Sequence, residues 1–144
     1  MLVEFSLILV AMLTLFYAII VYSIVFVTQQ SVAYAAETGA DAIVAVDTSQ
    51  GPAVTLFDSR ADSVARTRVN QVLGFLPGAA SVCLGSIDGG GNCSGQCTVV
   101  GVNRQCLVEV NYSFQNWGFL VTGLFPLPTN IRGVGLVNTQ APSS

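Results

Sequence analysis

Histidine and lysine are both absent from the 144 residues, and only 9% of the chain is charged. Without histidine the chain lacks the commonest general base and the commonest metal ligand. With no lysine either, its many serines have no evident activating base for nucleophilic catalysis. Five arginines against eight acids give a net charge of −3 and a pI near 4.5, with no basic patch. That balance excludes the phosphate-neutralising surface that nucleic-acid binding requires. The expectations are therefore no enzyme, no metal, no cofactor and no nucleic-acid partner. A mean hydropathy of +0.66 with so few charges fits surfaces buried by neighbours rather than an isolated soluble monomer.

Charge, proline and glycine are also missing from the whole run Phe5–Val27. As a helix rising 1.5 Å per residue, this run spans roughly the 30 Å of a bilayer's hydrocarbon core. It is no secretory signal peptide: nothing basic precedes it, and its apolar stretch exceeds the usual range of about 7–15 residues. Glu4 sits directly against it, and an acid at the edge of an apolar span is costly enough to imply a partner.

The helical pattern continues past the span. Val32, Ala35 or Ala36, Ala40, Ile43 and Val46 recur at three- and four-residue spacing, with Gln29, Gln30, Glu37, Asp41 and Asp47 largely elsewhere. Ala35 with Gly39 and Ala36 with Ala40 are small pairs four apart, which let helix backbones approach closely. The first 48 residues thus read as one helix that packs first in lipid and then in protein. Residues 49–144 form a small head of about 95 residues. Asp47–Pro52 breaks the helix, and Ala53–Phe57 reads as an extended connector. A second helix, about 59–76, starts at a cap on Asp58 or Ser59. Its stripe is Ala61, Val64, Ala65, Val69, Val72, Leu73 and Leu76, and Pro77-Gly78 ends it.

Beyond Pro77 the period changes to two. Ala79–Leu84, Cys97–Val100, Cys106–Phe114 and Ile131–Asn138 are candidate strands. Trp117–Thr129 is an apolar loop or a subunit contact, and Gln140–Ser144 a polar tail. The fold class is α+β: a long N-terminal helix, a packing helix and an antiparallel sheet.

Cys83, Cys93, Cys97 and Cys106 lie within 24 residues. Their spacing, C-x₉-C-x₃-C-x₈-C, does not match the paired C-x₂-C of zinc sites, so they read as disulfides of an exported head. A two-residue hairpin loop at Gly101-Val102 would set Cys97 opposite Cys106 and leave Cys83 to Cys93. A one-residue slip in that register would put the first pair on opposite faces, so the connectivity stays open here. Gly89-Gly90-Gly91 has neither the lysine of a phosphate loop nor the ligand set of a calcium loop. Asn92 and Asn111 begin N-x-S sequons that carry little weight.

These parts together resemble the type IV pilin superfamily, and most closely the TadE-like pilins of tight-adherence systems. The carriers are Val3-Glu4-Phe5 before the charge-free run and Gln30–Ala40, with its Ala-Ala, acid and Gly-Ala. Val108-Glu109-Val110-Asn111-Tyr112 and Leu124–Pro128 add to them. The family acid is usually the fifth mature residue and here is the fourth; no leader glycine precedes it, so the sequence reads as already processed. The resemblance implies a structural subunit that polymerises through its N-terminal helix into an extracellular pilus for surface attachment. Its implied partners are identical subunits, the inner membrane before assembly, a prepilin peptidase and the assembly machinery. Glu4 and Phe5, with the small residues Ala36, Gly39 and Ala40, would serve assembly, Glu4 by pairing with a neighbour's N-terminal amine. The alternatives are a minor TadE-like pseudopilin that primes assembly, or a monomeric membrane-anchored binding domain. The last would not need the apolar stripe on residues 28–46.

Overall fold

The computed structural model describes residues 2–46, 54–78, 80–85, 93–100, 103–114 and 128–140. Helix α1 runs unbroken over Leu2–Val44, 43 residues or about 65 Å. It has no internal proline, and its only glycine, Gly39, lies near the end. The hydroxyls of Thr14, Ser23, Thr28, Ser31 and Thr38 all donate to carbonyls three or four residues back, at 2.7–3.1 Å. Those groups need no water, as a helix in lipid requires.

Helix α2 covers Val54–Leu73. It begins four residues before the expected cap, so the expected extended connector is the first turn of the helix from Val54 onward. It also stops at Leu73 rather than Leu76. Gly74, the poorest helix former after proline, follows, and the residue before Pro77 is pushed away from helical angles. The Leu76 N–H still donates to the Leu73 carbonyl at 2.9 Å, and Leu76 stays buried.

Four antiparallel strands follow: β1 (Ser81–Leu84), β2 (Thr98–Val100), β3 (Asn103–Ser113) and β4 (Asn130–Gln140). Strand β3 is central. β4 pairs with it along its whole length, from Asn103↔Gln140 to Ser113↔Asn130. Its other edge is shared end to end, β1 taking Val108–Asn111 and β2 taking Asn103–Gln105. The expected start of β3 at Cys106 moves back to Asn103, because Arg104, a residue normally placed outside, takes an inward position.

The inner face of the sheet carries Arg104, Cys106, Val108, Val110 and Tyr112 from β3, Val82 and Leu84 from β1, and Ile131, Gly133 and Gly135 from β4, all buried. Two helices lie beneath it. α1 packs under β4 and β3, and α2 runs antiparallel beside α1 and under β1. Val32, Ala35, Ala36, Ala40 and Ile43 of the expected stripe are at most 2% exposed, and Val46 packs partly buried against the same core. Those residues therefore belong to the core of the head, and a boundary at residue 48 divides the chain in sequence but not in packing. The Tyr112 hydroxyl closes the far end by donating to the Pro77 carbonyl at 2.5 Å.

Contact between α1 and the sheet is closest at two glycines. A Cβ on Gly133 would stand 2.6 Å from the Val32 carbonyl oxygen, and one on Gly135 would stand 2.2 Å from that of Ala36. No real Cβ approaches backbone so closely, so only glycine lets β4 lie on the helix at this distance. On the neighbouring side, a Cβ on Gly39 would meet Val69 of α2 at 2.9 Å.

Candidate functional site

The candidate assembly element is α1, and its surface changes character along its length. From Val3 to Ile20 every residue is exposed except the half-buried Tyr17 and Ala18. Val3, Phe5, Leu7, Ile8, Val10, Met12, Leu13, Leu15, Phe16, Ile19 and Ile20 are all at least half exposed. Such a surface is untenable in water. The helix is long and apolar enough to cross a membrane, and only 11% of its most apolar window is buried by the chain itself. Glu4 and Phe5 lie exposed at its tip, about 25 Å along the axis from Val21, the first buried residue of the helix.

The small residues lie elsewhere than expected. Ala36, Gly39 and Ala40, read as an intersubunit packing stripe, are under the subunit's own head: Ala36 against Gly135, Gly39 against Val69 and Val108, Ala40 in the same core. The close helix approach that they imply occurs inside one chain, against a strand and a second helix. The stripe therefore no longer separates a filament subunit from an anchored domain.

The four cysteines form two bridges, Cys83–Cys93 and Cys97–Cys106, with Cα separations of 5.5 and 4.5 Å. Val100↔Asn103 and Thr98↔Gln105 set the hairpin register, which carries on to Cys97 opposite Cys106. The 4.5 Å separation is that of a directly facing, non-hydrogen-bonded pair. Cys106 and Cys97 are buried on the inner face. Cys83 points outward, directly across from Glu109, and its partner Cys93 is exposed.

Two polar arrangements have no local sequence signal. Asp58, expected as a helix cap, lies inside α2 and is buried; its Oδ1 accepts the Cys97 N–H at 3.5 Å. Burial raises its pKa above the usual carboxylate value, while that hydrogen bond and the Arg104 cation pull it back down. Arg104 is buried too, its guanidinium 4.4 Å from the centre of the Phe57 ring. On the outer face Glu109, 2% exposed, is held by both arms of the Arg132 fork at 2.6 and 2.8 Å. The loop 117–129 expected as a subunit contact lies outside the described residues except for Pro128 and Thr129, as do the Gly-rich loop 86–92 and the tail 141–144.

A protein-family model, TadE-like protein, matches residues 1–41, nearly the whole of α1 and none of the sheet. No curated protein and no solved structure matches the chain.

Proposed function

Starting from the TadE-like match over residues 1–41, we propose that the chain is a structural pilin subunit. It waits in the inner membrane through α1 and polymerises through that helix into an extracellular type IV-like filament that serves attachment. The observation that carries this reading is the uncovered half of α1. One continuous helix is free of charge over Phe5–Val27, is exposed over nearly all of Val3–Ile20, and runs on from Val21 into the core of a disulfide-bridged head. Lipid satisfies that surface before assembly, and the same half of neighbouring subunits satisfies it afterwards. Contacts between two different surface patches of identical subunits build an open helical polymer when their rotation does not close into a ring.

Glu4 has a defined part in this reading. It is the only charge in the first 36 residues, at the end of a surface that leaves water. A charge there is tolerated best against an opposite charge, and a neighbour's N-terminal amine is the one that assembly would bring. The test is electron microscopy and mass spectrometry of filaments sheared from cells. The wild-type chain is expected as a filament component, and Glu4→Leu as a membrane-retained, folded subunit missing from filaments. Absence of the wild-type chain from every filament would reject polymerisation in favour of a priming subunit or an anchored domain.

A further inference from the structure

The two helices of the head present different charges on their free borders. Of the five arginines, Arg104 is buried over Phe57, Arg132 is held by Glu109, and Arg66 is paired with Asp62 at 2.7 Å. That leaves Arg60 and Arg68, eight residues apart with Val64 between them, on one exposed border of α2. Arg60, Ser63 and Val64 line a shallow groove of about 290 Å³ with Ala42, Ala45 and Val46 of α1, where the two helices run side by side. The lining is largely apolar, and Arg60 is its one charge.

The free border of α1 is complementary. Glu37, Asp41 and Val44 are exposed at spacings of four and three, so they form one stripe, which by helical geometry lies on the far side of groove-lining Ala45 from Ala42. Among the described residues neither acid has an ion-pair partner.

We propose that these borders are the two halves of a contact between heads of identical subunits, a reading that rests on the filament proposed above. Val44 of one copy enters the groove of the next beside Arg60, with Asp41 and Glu37 set about Arg68. The order of residues along the helices agrees with this. Groove-lining Ala42–Val46 lies level with Arg60–Val64, and Gly39 lies level with Ala65 and Val69, beside Arg68. With both α1 helices parallel and Val44 in the groove, Asp41 comes level with Ala65 and Glu37 with Arg68, so both acids flank Arg68, while Arg60 lies beside Val44. The two patches are different surfaces, so each copy keeps one of them for the next, and the contact builds an open helix where the rotation does not close. Opposed charges at its rim fix register and reject the reversed orientation.

Charge reversal tests it in cells that make wild-type filaments. The pairs Arg60→Glu/Arg68→Glu and Glu37→Arg/Asp41→Arg are each expected to lower filament yield at least about tenfold, and the fourfold variant carrying both is expected to regain most of it. Membrane level and protease resistance of the head are expected to stay unchanged throughout, because all four side chains are exposed. Unchanged yield in either pair overturns the contact, and so does a fourfold variant that stays defective. Loss with the arginine pair alone would mean that those arginines meet an acidic partner other than this stripe, which also overturns it. Absence of the wild-type chain from filaments would instead overturn the parent reading, and this contact with it.

Discussion

Val3–Ile20 and Val21–Val44 belong to one unbroken helix, yet they obey different rules. Along the first stretch apolar side chains point in all directions, and the surroundings only need to be apolar. Along the second, the buried positions have fixed neighbours: Val32 under Gly133, Ala36 under Gly135, Gly39 beside Val69. Their exposed counterparts are Gln30, Tyr34, Glu37 and Asp41. The first stretch is adapted to a solvent and the second to a partner surface. Substitutions of similar size should therefore have opposite consequences in the two, and several variants can break or sharpen that contrast.

The largest effect is expected from Gly135→Ala. The added methyl would meet the backbone of Ala36, which cannot rotate away as a side chain can, so β4 and α1 must separate. A cost above about 3 kcal/mol is expected, enough to open much of a small head. Limited proteolysis in detergent should show rapid cleavage of the head while the chain still fractionates with membranes. A protease-resistant head would mean that β4 does not lie on the helix as closely as described.

Next comes removal of the inner bridge by Cys97→Ala/Cys106→Ala. It releases a closed loop of about ten residues and leaves two small voids beside Val108, for an expected loss of roughly 2–3 kcal/mol in the chain-entropy account. Urea titration of the detergent-solubilised subunit, followed by circular dichroism, measures it. Membrane insertion of Val3–Val27 is expected to be unaffected.

A paired comparison is more direct. Ala36→Leu forces extra methylenes against Gly135 and should destabilise the head by about 1–3 kcal/mol. Ile8→Leu, a volume-conserving swap on the exposed half, should change head stability by less than about 0.5 kcal/mol. Equal effects on urea stability would remove the distinction between the halves. Ala36→Leu is thus expected to act on folding of the head, where a stripe of small residues suggested polymerisation.

The smallest effect concerns Asp58. Its pKa in the folded head is raised, chiefly by burial, so the folded state holds the proton more tightly than the unfolded chain. Between the unfolded value of about 3.8 and the raised folded value, the native state binds more protons. Stability therefore falls as pH rises through that window and is regained as pH drops. Asp58→Asn keeps an oxygen to accept the Cys97 N–H and removes the charge. Its urea midpoint should be flatter across that window than the wild type's, and an unchanged slope would show that Asp58 is not the group responsible.

The spanning helix, its continuation and the α+β class were legible in the sequence, because each rests on periodicity over many residues. The cysteine hairpin was legible for a local reason: a two-residue loop fixes the register of the residues on either side of it. The start of α2 was misplaced at Asp58 because an acid near a helix start looks the same whether it caps the helix or not. What decides is the Cys97 N–H, 39 positions away. Arg104 gave no inward signal, since it packs on Phe57, which is farther still in sequence.

The stripe of residues 32–46 marks the limit most clearly. By itself the sequence determined that one face of this helix would be buried closely against backbone: small residues at helical spacing leave no other use for that face. It could not determine against what, since a neighbouring subunit's helix and the chain's own strand ask for the same small side chains. Only the tertiary structure decided that, by bringing Gly133 and Gly135 onto Val32 and Ala36 from about a hundred residues away. Periodicity is a property of one segment, whereas the surface that fills a face is a property of the whole fold.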